Sequence, residues 1–143
     1  MALKEIGYEL REAYLGRLDG AVFVNGVAIP FFDVFVPNVI PDWFVVITDS
    51  YYADDSLKCG YGGDVHTTMD IVTRFRVGEG TSKIAELISG QIKGLLVPNT
   101  LVLPNFNIMN TINVMDKKIN EETNTGRIIR KILTFKHTIQ QLN

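Results

Sequence analysis

The side chains with most chemical potential in this chain are two histidines, one cysteine and a cluster of aspartates. They are His66, His137, Cys59, Asp49, Asp54, Asp55 and Asp64. Zinc needs three or four nitrogen, sulfur or oxygen ligands. His66 and His137 each fall in a strand-like segment, so their rings could meet if those strands pair. Only Cys59 or Asp64 then lie near enough in sequence to complete a site, and histidines on a strand surface are the favoured reading. A calcium loop needs alternating acidic ligands and a closing glutamate, and the aspartates here have neither. Cys59 has no second cysteine to pair with and no adjacent base, so it reads as a bystander rather than a nucleophile. The glycine clusters "GYGG" and "GEG" match no phosphate-binding loop, and no serine sits in a nucleophile elbow. No carboxylate pair stands out for glycoside chemistry.

Composition narrows the classes further. The 143 residues suggest one domain spanning the chain, and 46% of them are apolar, as in an ordinary globular core. A formal charge of −2 provides no global basic field for gathering nucleic acid. The first residues, "MALKEIGYELREAYLGRLDG", lack the unbroken apolar run of a signal peptide, and no stretch reaches the about 20 apolar residues of a membrane span. The chain therefore reads as a protein of a reducing compartment, with no membrane partner.

The elements that must position these residues follow from periodicity. Leu3, Ile6, Leu10, Tyr14 and Leu18 recur at helical steps, predicting a helix over 3–18 that ends near Asp19 and Gly20. Asn25-Gly26 between short apolar runs predicts a hairpin, with Pro30 at an edge and residues 34–36 continuing its second strand past a bulge. In "PDWFVVITDS", Trp43, Val45 and Ile47 alternate with Phe44 and Val46. A strand apolar on both faces predicts cover from both sides, from within the chain or from a neighbouring subunit. Residues 48–64 hold three tyrosines, four aspartates and three glycines, which predicts a long mobile acidic loop.

From Val65 to Val77 the odd positions are apolar or threonine and the even ones mostly polar, a strand with one buried face. Gly78 and Gly80 turn the chain. Thr81 or Ser82 can cap a helix whose stripe is Ile84, Leu87, Ile88, Ile92, Leu95 and Leu96. Ala85, Ser89, Gly90 and Gly94 would let that helix approach a sheet closely, and Pro98 ends it. Phe106, Ile108, Ile112 and Val114 predict another strand, residues 116–127 a charged polar turn region, and residues 128–139 the last strand. There Arg127, Lys131 and His137 share parity with the apolar set, so part of that face should reach solvent or a partner. The sum is an α+β domain in the order α-β-β-β-β-α-β-β, an antiparallel sheet with both helices packed on one face. Arg74, Arg76, Arg127, Arg130, Lys131 and Lys136 lie on two of its strands. The aromatics of this sheet are expected to face inward with the apolar set rather than outward as stacking platforms, so a solvated or interfacial face is favoured over nucleic-acid binding.

This order of elements resembles the tail-completion or tail-terminator proteins of tailed bacteriophages, small subunits that form rings in the neck. The segments "PNVIPDWFVVITDS", "HTTMDIVTRFRVGEGTSKIAELISGQIKGLL" and "TGRIIRKILTFKHTI" carry the resemblance. It implies a virion structural protein with no catalytic residues and no cofactor, assembled in the host bacterial cytoplasm. It further implies a homo-oligomeric ring, a hexamer or dodecamer, flanked by other neck, portal-side or tail proteins, with DNA passing through the channel without sequence-specific contacts. Tyr51, Tyr52, Asp54, Asp55 and Tyr61 are then expected on a loop making subunit or lumen contacts, since tyrosine gives large contact area at low entropy cost. Excising residues 50–62 should leave a folded monomer that does not assemble. The alternatives are a small non-viral ligand- or peptide-binding α+β module and a small hydrolase with a scattered site.

Overall fold

A computed structural model of the chain describes residues 2–34, 36–38, 41–56, 60–98 and 101–142. Cys59 and part of the 34–36 segment lie outside them. The first helix, α1, spans Gly7–Leu18. Ile6, Leu10, Tyr14 and Leu18, spaced by one turn, are all buried, while Leu3 precedes the helix and is exposed. Strands β1 (Phe23–Val24) and β2 (Val27–Ala28) form a small hairpin. Its turn residues Asn25 and Gly26 have φ of 53° and 77°, the left-handed region that the Asn-Gly pair anticipates.

A second sheet has five strands. They are β3 (Phe31–Asp33), β4 (Trp43–Asp54), β5 (Gly62–Phe75), β6 (Phe106–Thr123) and β7 (Gly126–Gln141), in the spatial order β3-β4-β5-β7-β6. All pairings are antiparallel except β3 with β4, which is parallel. Residues 31–33 thus do not extend the hairpin. They cross to the large sheet, and Val34 donates its N–H to the Ile47 carbonyl at 2.9 Å.

Helix α2, Lys83–Leu96, lies between β5 and β6 in sequence. Thr81 supplies its first-turn support, its hydroxyl accepting the Lys83 N–H at 3.3 Å. Both helices cover the same sheet face. Leu10, Tyr14, Ala85, Ile88 and Ile92 share one core with Val45, Ile47, Met69, Ile71, Leu133 and Phe135. Each fully buried large aliphatic contributes about 1.5–3 kcal/mol. The α+β class, the element order and the one-sided helix layer agree with the sequence.

Two details of the sequence reading change, and one alternative it left open is decided. Gly90 and Gly94 face solvent with open space above them, so Ala85 and Ser89 alone make the close approach to the sheet. The charged stretch 116–123 is not a turn region but the second half of β6, and the turn shrinks to Asn124 and Thr125. Its charges sit opposite partners: Asp116 meets Lys93 and Lys131, Glu121 meets Arg130, and Glu122 meets Arg127. Finally, Phe44 and Val46 are 6% and 7% exposed within a single chain. Phe32 packs edge-on against Phe44 at 6.0 Å, and the Arg74 guanidinium lies over its ring. The second apolar face of β4 is therefore covered without a neighbouring subunit.

Candidate functional site

The expected loop at residues 48–64 is mostly strand. Tyr51, Tyr52 and Asp54 belong to β4 and pair with His66, Val65 and Gly63 of β5. The sequence misleads here because its glycines mark close approach rather than a loop. A Cβ on Gly63 would stand 2.2 Å from the Ala53 carbonyl oxygen and 3.0 Å from the Tyr52 ring. Excising residues 50–62 would consequently cut the β4–β5 ladder, not trim a loop.

Alternation along β4 divides Tyr51 from Tyr52 and Asp54, which lie on opposite faces. Tyr51 points to the helix-free face, is 57% exposed, and stacks on His66 with centroids 4.4 Å apart and planes 7° apart. Tyr52 points to the helix side, packs on the core, and donates its hydroxyl to Asp54 Oδ1 at 3.0 Å. Its hydroxyl is pushed up to about 12, by burial first, then by the hydrogen bond to Asp54 and the charges of Asp54 and Asp55. Asp54 also accepts the Ser56 hydroxyl. Asp55 and Tyr61 lie at the end of the β4–β5 ladder, where Asp55 donates its N–H to the Gly62 carbonyl and Tyr61 accepts the Gln141 N–H, both at 2.8 Å. A shallow cavity of about 320 Å³ lies beside this end of the ladder, lined in part by Asp55, Tyr61, Asp64, Met109 and Thr138. The Thr138 hydroxyl donates to Asp64 Oδ1 at 2.9 Å there, a cross-strand bond between β7 and β5.

The histidines do not meet in a metal site. His137 pairs across the ladder with Val65 and His66 with Lys136, which puts their side chains on opposite faces of the sheet. Among the described residues, no group of three or more His, Cys, Asp or Glu comes together to hold a metal ion. His137 does not reach solvent or a partner either. It is fully buried, with Nε2 on the Tyr14 hydroxyl and Nδ1 2.9 Å from the Thr111 hydroxyl. A neutral imidazole satisfies both contacts if Tyr14 donates to Nε2 and Nδ1–H donates to Thr111. The signal was present in sequence: Tyr14 lies in the α1 stripe and His137 has core parity on β7.

Among the described residues, Arg11, Lys93, Arg127, Arg130 and Lys131 are in ion pairs. Arg130 holds Asp70 through Nε and Nη2 at 3.1 and 2.5 Å and reaches Glu121 at 3.2 Å. Burial pushes the Asp116 carboxyl up, but hydrogen bonds and charge from Lys93 and Lys131 outweigh it and hold the group below the ordinary carboxylate range. Arg74 donates to the Pro41 carbonyl at 3.0 Å. On β7, carboxylates of β5 and β6 thus offset Arg127, Arg130 and Lys131. No helix among the described residues is long and apolar enough to cross a membrane.

What the fold leaves open is its edges. Among the described residues β6 pairs only with β7 along its 18 residues, and Met109, Ile112, Val114 and Met115 on it are 40–61% exposed. On the opposite side of the sheet, β3 covers β4 only as far as Ile47, leaving residues 48–54 unpaired outward among the described residues.

No protein-family model matches the chain, and no curated protein is similar to it in sequence. A chain of the solved "Virion of native gene transfer agent (GTA) particle" shares the fold, with a TM-score of 0.77 and 20% identity. The match covers 96% of this chain and 99% of that one.

Proposed function

We propose that this protein is a virion structural subunit of a phage-like particle. In this reading it forms a ring in the neck or tail that joins or caps the tail and surrounds the DNA channel. The observation that carries it is the end-to-end likeness to a chain of a gene transfer agent virion, with a TM-score of 0.77 over 96% of this chain and 99% of that one. Two features support it. The chemistry-bearing residues are spent on structure, with His137 sealed in the core and the ion pairs bracing strands. Among the described residues the sheet keeps β6 and residues 48–54 of β4 unpaired outward, and monomeric proteins manage such edges by shortening or covering them. A subunit built to be joined to others needs them open.

The ring would be a hexamer or dodecamer, flanked by neck, portal-side or tail proteins, and would be found in the virion after assembly in the host bacterial cytoplasm. The second reading, a ligand-binding module, draws on the cavity beside Tyr61, whose about 320 Å³ is at the small end for ligand sites. Light scattering on the purified protein, with negative-stain imaging, tests the first reading. Rings of six or twelve copies, and the chain's presence in purified particles, are expected. A monomer that is also missing from particles overturns it.

A further inference from the structure

The geometry points to one joint between copies: the β6 edge of one subunit adds antiparallel to residues 48–54 of β4 in the next, continuing the sheet from copy to copy. The inference rests on the ring reading and names its contact surface.

The ladder registers supply the argument. Reading straight across the sheet, Tyr51 aligns with His66, Lys136 and Ile112, and Ser50 with Thr67, Phe135 and Asn113. Asp49 aligns likewise with Thr68, Thr134 and Met115. The open half of β4 is therefore level with the part of β6 that carries the exposed Met109, Ile112, Val114 and Met115. A copy moved sideways in the plane of the sheet meets its neighbour at matching height. The directions fit too. Three successive antiparallel pairings make β6 run opposite to β4, so a sideways copy brings the two edges together antiparallel. Such a contact is heterologous, and heterologous contacts close into rings.

Backbone groups are free on both edges. Asp55 N–H bonds the Gly62 carbonyl, so alternation along the ladder sends Tyr51 and Ala53 toward β5 and turns the N–H and C=O of Ser50, Tyr52 and Asp54 outward. On β7, Leu142 bonds Asn105 and Gln141 bonds Tyr61, so the even positions bond β6. Asn110 and Ile112 then bond inward, and Thr111 and Asn113 present their backbone outward. Bulges at Met109 and Val114 bracket this stretch.

Charge complements as well. Residues 48–56 carry Asp49, Asp54 and Asp55 with no Lys or Arg. On the β6 side, Lys117 lies two positions beyond the Asp49 row and on the same face. Lys4 bonds Asn105, two positions beyond Asn107, which shares the row of Asp55.

Cross-linking tests the joint. In a Cys59→Ser background, Tyr51→Cys and Ile112→Cys are introduced singly and together, and oxidation is read on non-reducing gels with purified rings or particles. The pair should give a ladder from dimer up to the full ring, and neither single should cross-link. Ser50→Pro should give a folded monomer, because the lost N–H faces outward and leaves the β5 ladder whole. Rings with no ladder, and rings persisting in Ser50→Pro, overturn this joint while leaving the ring reading standing. Dimers from Ile112→Cys alone would mean a symmetric β6–β6 contact and also overturn it, as would a cross-link to a different virion protein. A chain that assembles neither alone nor in particles removes both. Should Ser50→Pro fail to fold, the ladder decides.

Discussion

The Tyr14 hydroxyl and His137 Nε2 are hydrogen-bonded in the closed core, joining α1 to β7 across 123 residues of sequence. Burial, and to a lesser degree the charge of His66, holds His137 down to about 4, whereas an unfolded chain would titrate near 6.5. Between those values the unfolded state binds more protons than the folded one, so stability rises with pH through that window and falls on acidification. The shift corresponds to a loss on the order of 3 kcal/mol between pH 7 and pH 4. Urea unfolding at several pH values should show it, and His137→Gln should flatten that part of the profile. Asp116 also loses stabilising charge in acid, from the ordinary aspartate range down to its own depressed value, so its window begins where that of His137 ends. An unchanged slope in His137→Gln would assign the effect elsewhere.

Gly90 and Gly63 should respond oppositely to alanine. Gly90 lies in the interior of α2 with nothing within 4 Å of an added Cβ, so alanine should stabilise by about 0.5–1 kcal/mol through backbone entropy. At Gly63 the added carbon would meet the Ala53 carbonyl oxygen at 2.2 Å, and a cost of about 1–3 kcal/mol is expected. Chemical denaturation of the two variants checks both signs.

These two glycines also show what the sequence could and could not convey. Buried periodicity was legible: Ile6, Leu10, Tyr14 and Leu18 on α1 and the odd positions of β5 lie where alternation and helical spacing put them. What misled was composition taken without partners. Residues 48–54 and 116–123 look like loops because they are polar or glycine-rich. Yet Tyr51 finds His66, and Asp116 finds two lysines, only once distant strands pair. A strand exposed on both faces has no hydrophobic alternation to display. The open edges were not legible, since an edge exists only relative to a sheet order that no local signal encodes.

Val34 adopts φ of 62° while 70% exposed. A β-branched side chain in the left-handed region is strained by about 1–2 kcal/mol, and here little packing offsets it. Asparagine tolerates that region and would keep the backbone bond to Ile47. Val34→Asn should therefore stabilise by about 1 kcal/mol, or about 3 °C in Tm for a domain this size. A Tm that falls in calorimetry would mean that the isopropyl group has a contact offsetting the strain.

Asp70 and Arg130 should be strongly coupled, while Glu122 and Arg127 should not. Asp70 is only 7% exposed, and two guanidinium nitrogens hold it. Arg130→Gln would leave that carboxylate desolvated and short of a counter-charge, costing about 1–3 kcal/mol, and adding Asp70→Asn should recover much of the loss. The Glu122 side chain is 63% exposed, so solvent screens its pair and a coupling below about 0.5 kcal/mol is expected. Parallel double-mutant cycles by urea denaturation measure both. Comparable couplings at the two sites would mean that the helix-free face around Asp70 is wetter than its burial implies, and that its charge balance does little to hold the central strands together.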